Sequence, residues 1–278
     1  MSVILAKHRG MPAQDGAGVK LTRIINQPGL KHQDPFLMLD EFRSDNPDDY
    51  IAGFPPHPHR GFCTLTYMLA GTMEHKDSVG NSGEVDAGGV QWMKAAKGII
   101  HAEMPKQVEG LMWGFQLWVN LPGDEKMSEP EWHDYPAASI PEVKNGDALI
   151  RIISGKYQQQ EGPVNAPGRD FLMLDVHLES DSFSLPSQGQ KRRLAYVYQG
   201  ELTVNGEAAK EGELILLDPA ETLDFSATEH ARFILLAAKP IEEPIAQYGP
   251  FVMNSSDQIE QAIKDYQSGQ LAANQKLS

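Results

Sequence analysis

Between Phe171 and Glu179 the chain alternates, with Leu172, Leu174, Val176 and Leu178 on one side and Asp175, His177 and Glu179 on the other. That is the period of a strand with one face in a core, so His177 should point away from the apolar side. Short apolar runs separated by Gly, Pro, Asn and Asp clusters recur from Leu21 to Leu236. Such spacing predicts an all-β body built as sandwiches or barrels. The stretch Asp124 to Gly146 interrupts the rhythm with Pro130, Pro136 and Pro141 among charges and an Asn-Gly end, and reads as a connection between domains. Beyond Pro250 the period changes. Ser255 and Gln258 form a capping-box signature, and Ile259, Ala262, Ile263 and Tyr266 then recur at helical spacing until Gly269, which predicts one amphipathic helix. Its apolar stripe must pack back across a barrel or along an interdomain seam.

A weak internal repeat suggests that one barrel is written twice. Tyr67-Met-Leu-Ala-Gly71 and Tyr196-Val-Tyr-Gln-Gly200 share Tyr-x-x-x-Gly, and each is followed by a glycine turn, at Gly88-Gly89-Val90 and Gly212-Glu213-Leu214. Overlaying the copies at the tyrosines places Pro186 and Gln188 opposite His57 and His59. Continuing from Gly212 places Phe225 and Ala227 opposite His101 and Glu103.

Those four residues of the first copy carry the candidate chemistry. His57-Pro-His59 and His101-Ala-Glu103 are alternate-residue pairs, and on strands residues i and i+2 share a face, so each pair can offer two donors to one point. Three imidazoles and a carboxylate suit a divalent first-row ion: iron, manganese, nickel, copper or zinc. The prolines around His57 and His59 favour extended backbone. Cys63, Leu65, Tyr67 and Leu69 continue the parity of these histidines, and Cys63, Leu65 and Tyr67 are the expected pocket lining. Cys63 itself reads as a small buried hydrophobe rather than a ligand. The isolated histidines His8, His32, His75, His133, His177 and His230 read as solvated. Gly80, Gly83, Gly88 and Gly89 lack the strand-to-helix context of a phosphate loop and read as hairpin turns, and the chain has neither a Gly-x-Ser-x-Gly elbow nor a Cys pair.

Composition narrows the partners. The 278 residues contain 41% hydrophobic side chains, enough for about two ordinary cores. With 24 Lys+Arg against 38 Asp+Glu, the net charge of −14 disfavours direct contact with nucleic acid or anionic lipid. Lys191-Arg192-Arg193 is the one basic run and reads as a solvated strand edge. A single cysteine excludes an internal disulfide and favours a reducing compartment. The N-terminus shows no secretory h-region, and the apolar stretch Leu111 to Leu121 is too short to span a bilayer. A cytoplasmic protein without membrane contact is expected.

The longer motifs carry a family resemblance. His57-Pro-His-Arg-Gly-Phe, Gly98-Ile-Ile-His-Ala-Glu-Met-Pro105, Gln116-Leu-Trp-Val-Asn-Leu-Pro122, Lys126-Met-Ser-Glu-Pro130 and Tyr248-Gly-Pro-Phe-Val-Met-Asn254 resemble the pirin family of the cupin superfamily, from Pro35 nearly to the C-terminus. The resemblance implies two tandem cupin (jelly-roll) barrels with a C-terminal amphipathic helix: a metal-binding barrel over 1–135, and a metal-free barrel with the helix over 136–278. It also implies His57, His59, His101 and Glu103 as ligands of one metal per chain, iron first. One departure stands out, Cys63, where pirins usually carry a glutamate. The implied activity is that of a quercetin 2,3-dioxygenase acting on a flavonol and dioxygen, with Glu103 as catalytic base. The rival expectation is a metal-binding regulator or redox sensor that docks on protein partners, as eukaryotic pirins are described.

Overall fold

The computed structural model describes residues 2–107, 109–165, 170–187, 189 and 191–272. Contacts divide the chain into two compact units, and neither is one continuous stretch of sequence. One comprises Pro12–Asn26, Lys31–Ala137 and Ile241–Ser278; the other comprises Met1–Met11, Gln27–Leu30 and Ala138–Pro240. We call them the first and second barrel. The tail helix, expected with the second half of the sequence, thus belongs by its contacts to the first barrel.

In the first barrel a seven-stranded sheet runs in the order Glu131–Tyr135, Val90–Lys94, Phe62–Ala70, Met112–Asn120, Phe36–Ser44, Val19–Ile25 and Met11–Asp15. A four-stranded antiparallel sheet accompanies it, in the order Phe54–His59, Ile99–Pro105, Met73–Asp77 and Ser82–Val85. Val19, Leu21, Phe42, Tyr50, Met68, Met73, Val85 and Met112 form a buried cluster here. The proline-rich stretch 124–146 is not simply a linker. Glu131–Tyr135 pairs with Val90–Lys94 in the first barrel, and Glu142–Asn145 pairs with Ala148–Ser154 in the second. Its prolines fall outside both strands, where no ladder donor is needed.

The second barrel is a ten-stranded sheet whose main path runs Ile4–Arg9, Glu213–Leu217, Arg192–Val204, His230–Ala238, Leu172–Glu179, Ala148–Ser154 and Glu142–Asn145. Leu172, Leu174, Val176 and Leu178 all enter its core, as the alternation predicts. His177 points the other way but is not solvated. Its Nε2 lies 3.0 Å from the buried Asp175 Oδ2 and 3.1 Å from the Tyr198 hydroxyl.

The helix Ser256–Gln267 starts at the expected capping box. Ser255 Oγ accepts from the Gln258 amide while Gln258 Oε1 accepts from the Ser255 amide. Ile259 and Ala262 are buried with Phe251, Met253 and Leu271, and Ile263 packs beside them. Tyr266 remains exposed. No helix among the described residues is long and apolar enough to cross a membrane.

Candidate metal centre

His57 and His59 lie on the strand Phe54–His59, and His101 and Glu103 on Ile99–Pro105. Antiparallel pairing sets His101 opposite His57 and Ile99 opposite His59, with a register shift between His101 and Glu103. The three rings converge, with centroids 4.4 Å apart for His57–His101, 4.7 Å for His57–His59 and 4.9 Å for His59–His101. One ring nitrogen from each falls within 4.8 Å of the others. Glu103 approaches from the same strand, its Oε2 4.0 Å from His101 Nε2.

Protonation favours ligation. Burial drives the His101 and His59 imidazoles well below their ordinary values, and the neighbouring histidines reinforce the shift. Both are neutral near pH 7, the state a metal requires. His57 Nδ1 lies 2.9 Å from the Pro55 carbonyl, which fixes the Nδ1–H tautomer and leaves Nε2 as a lone pair. His101 Nε2 is buried with no hydrogen-bond partner. A cation would satisfy this orphan, which is otherwise costly.

The carboxylate is held from one side. Thr66 Oγ1 lies 3.0 Å from Glu103 Oε1 and 2.6 Å from Gln116 Oε1. A single hydroxyl hydrogen serves one acceptor, so Thr66 donates to Glu103 when the Gln116 amide is turned to present its nitrogen. Glu103 Oε2 then stays free toward the histidines.

The returning C-terminal segment steadies the ligand strand. Gly61 adopts φ +92°, and a Cβ there would stand 1.9 Å from the Val252 carbonyl oxygen, an approach open only to glycine. The Val252 amide donates to the Arg60 carbonyl, and Arg60 Nη1 donates to Asp265 of the helix at 2.7 Å. Lys126, fully enclosed, donates to the Gly61 and Val252 carbonyls and to Asn120 Oδ1; burial brings its amine down to about 8. These bonds explain why motifs around residues 57, 116, 126 and 248 belong to one local structure.

The same turn at Gly61 corrects the expected pocket lining. Parity does not continue from His59 into the strand Phe62–Ala70, because Arg60 and Gly61 redirect the backbone between them. Thr66, on the even-numbered side, reaches the cavity, while Cys63, Leu65 and Tyr67 do not line it. Cys63 is fully buried and its thiol is pushed up by burial, so the cysteine does not set the polarity of the cavity wall.

His75 is not the solvated side chain that its isolation in the sequence suggests. It is buried, stacks on Trp132 with ring centroids 5.3 Å apart, and brings Nδ1 to 3.3 Å from His101 Nδ1. His75, His101 and Glu103 form a second group whose ligand atoms fall within the same 4.8 Å limit. His75 pairs directly opposite Glu103 across the ladder, but it stands alone between Glu74 and Lys76 with no local signal. His32 is likewise engaged, 2.6 Å from Gln247 Oε1, and His133 stacks on Trp92.

A cavity of about 960 Å³ opens at the centre. Its lining includes His57, His59 and Glu103, the aromatic side chains of Phe54 and Trp118, and the Arg23–Asp40 pair. Arg23 binds Asp40 through two bonds of 3.0 and 2.7 Å and reaches Asp15 at 2.9 Å.

The second barrel lacks this constellation among its described residues. Taking Phe225 as the counterpart of His101, its partner across the ladder is Phe183, 5.6 Å away, and Phe225 stacks further on Phe233, which Phe183 meets edge-on. That choice differs from the tyrosine overlay, which points to Pro186, and Gln188 lies outside the described residues. A core filled with phenylalanine offers no donor.

Fold and centre together define a bicupin whose first barrel carries a histidine-rich group able to hold a metal. Its N-terminal part matches the Pirin family over residues 18–119 and its C-terminal part the Pirin C-terminal cupin domain over residues 173–272, and the chain belongs to the pirin family. A Pseudomonas aeruginosa protein named "Putative quercetin 2,3-dioxygenase" is 49% identical, the alignment covering 97% of this chain and 98% of that protein. A pirin-like protein of Caulobacter vibrioides is 44% identical over 94% of this chain and 96% of its own length. The crystal structure of a quercetin 2,3-dioxygenase from Acinetobacter baumannii superposes with a TM-score of 0.90 at 29% identity, covering 96% of this chain and 97% of that one.

Proposed function

We propose that the chain is a metal-dependent dioxygenase that opens the heterocycle of flavonols, a quercetin 2,3-dioxygenase activity, at a site formed by His57, His59, His101 and Glu103. The reading places it in the reducing cytoplasm, in keeping with one buried cysteine. The observation that carries it is the convergence of His57, His59 and His101, with the Glu103 carboxylate beside His101 and with His57, His59 and Glu103 lining a cavity that has aromatic walls. A volume of about 960 Å³ is at the upper end of small-molecule sites and accommodates a three-ring aromatic compound. The relatives named for quercetin dioxygenase activity support the same substrate class.

When bound, a divalent ion supplies Lewis-acid chemistry and the electron exchange that dioxygen requires; iron is our first choice. The chain does the rest. Phe54 and Trp118 flank a planar substrate, Thr66 orients Glu103, and Glu103 Oε2 takes the proton of the substrate hydroxyl. The products are the ring-opened ester and carbon monoxide.

The test is dioxygen uptake by protein reconstituted separately with iron, manganese, nickel or copper, mixed anaerobically with flavonol and then exposed to air. Uptake matched by carbon monoxide release supports the proposal. No uptake with any of the four metals would replace it with a metal-binding module that acts through protein contacts.

A further inference from the structure

We propose that His75 is a positioning residue that, with Asp77, fixes the tautomer of the metal ligand His101. The inference rests on the metal-site reading above. His101 can bind through Nε2 only if its ring proton sits on Nδ1. That Nδ1 faces His75 Nδ1 at 3.3 Å, and two ring nitrogens share a hydrogen bond only when one is a donor and the other an acceptor. His101 Nδ1–H therefore donates and His75 Nδ1 accepts, which leaves the His75 ring proton on Nε2. His75 Nε2 lies 3.6 Å from Asp77 Oδ2, a charge contact longer than a hydrogen bond, in a wholly buried pair. The rest of the carboxylate is committed: Oδ1 accepts from the Val79 and Asn81 amides and Oδ2 from Asn81 Nδ2. These bonds fix the carboxylate in place beside His75. One proton order fits these contacts, with the His75 proton on the side of Asp77, His75 Nδ1 accepting from His101 Nδ1–H, and His101 Nε2 left as a lone pair.

The backbone builds this relay by register. Asp77 lies opposite His101 and His75 opposite Glu103 on adjacent antiparallel strands. Trp132 stacks on the His75 ring and restricts its rotation. His75 Nε2 and His101 Nε2 have no hydrogen-bond partner, as expected if the first is aligned by charge and the second awaits a cation. The alternative occupant of this geometry is a metal held directly by His75, His101 and Glu103, which would require His75 as a ligand rather than as an acceptor.

Cobalt(II) alone, titrated into metal-free protein against a competing chelator, reads the site without turnover. His75→Phe keeps the ring and its stacking on Trp132 but removes the acceptor; affinity should fall about 10- to 100-fold, the usual loss on removing such a partner, with one equivalent still bound at saturation. His75→Asn, which returns an acceptor near the Nδ1 position, should recover most of the affinity. Asp77→Asn should lie between them. Thermal melting of the metal-free variants separates a lost fold from a lost relay. Equal affinity in parent and His75→Phe, or equal losses in the Phe and Asn variants, overturns the relay while leaving the metal site intact. Failure of His75→Phe to bind at saturating cobalt would make His75 a ligand and also overturns it. A parent that binds no cobalt removes the metal-site reading, and the relay with it.

Discussion

Replacing Ile259 with Ala should destabilise the first barrel, although the residue lies near the end of the sequence. Ile259 is 7% exposed and packs with Phe251, Met253, Ala262 and Leu271. The substitution deletes three carbons, worth about 2.4 kcal/mol at about 0.8 kcal/mol per buried methylene. A residual cavity adds to this, while alanine's better helix propensity returns roughly half a kcal/mol. The net expectation is about 2–4 kcal/mol, a shift on the order of 1 M in a urea midpoint. The assay is selective because the chain's four tryptophans, Trp92, Trp113, Trp118 and Trp132, all fall in the first-barrel unit. Tryptophan fluorescence should therefore report the earlier transition. If the fluorescence midpoint matches that of the parent, the helix is not docked on the first barrel and its role in steadying the ligand strand through Asp265 is wrong.

Glu103→Gln should retain most of the metal, since three imidazoles remain, while slowing dioxygen uptake roughly 10²-fold; equal rates would remove Glu103 from proton transfer. Asp40, buried beside Arg23 and Asp15, is raised to about 6 because burial outweighs its bonds to Arg23. Its folded value lies above its unfolded one, so its stabilising contribution is complete below about pH 4 and disappears as pH rises through 6. Asp40→Asn should flatten the stability profile across that window by on the order of 2 kcal/mol, and a parent that gains stability relative to the variant from pH 4 to 6.5 would show the sign to be wrong. Phe225→Ala, in the stacked core of the second barrel, should cost about 3–5 kcal/mol without changing metal content; loss of metal at preserved fold would contradict the separation of roles.

Much of this site is legible in sequence because its ligands come in i, i+2 pairs on strands, where local periodicity and spatial convergence coincide. The helix was equally readable, since its cap and stripe are local. What escaped depends on long-range pairing. His75 has no partner within its own strand and is recruited only by lying across the ladder from Glu103. Period-2 parity carried through Gly61 puts Cys63, Leu65 and Tyr67 on the pocket wall, but the positive φ of Gly61 permits a turn that alternation cannot show. The allegiance of the tail is likewise invisible locally, since it rests on the Val252 and Asp265 bonds to Arg60. The pairing of Phe183 with Phe225 is hidden for the same reason, because strand register is set by partners.

The central claim is that one metal binds per chain, in the first barrel, through His57, His59, His101 and Glu103. Elemental analysis of freshly purified, untagged protein tests it most directly. About one equivalent of divalent transition metal per chain is expected in the parent and almost none in the His57→Ala, His101→Ala double variant. Two equivalents in the parent, or metal retained by the folded double variant, would contradict it.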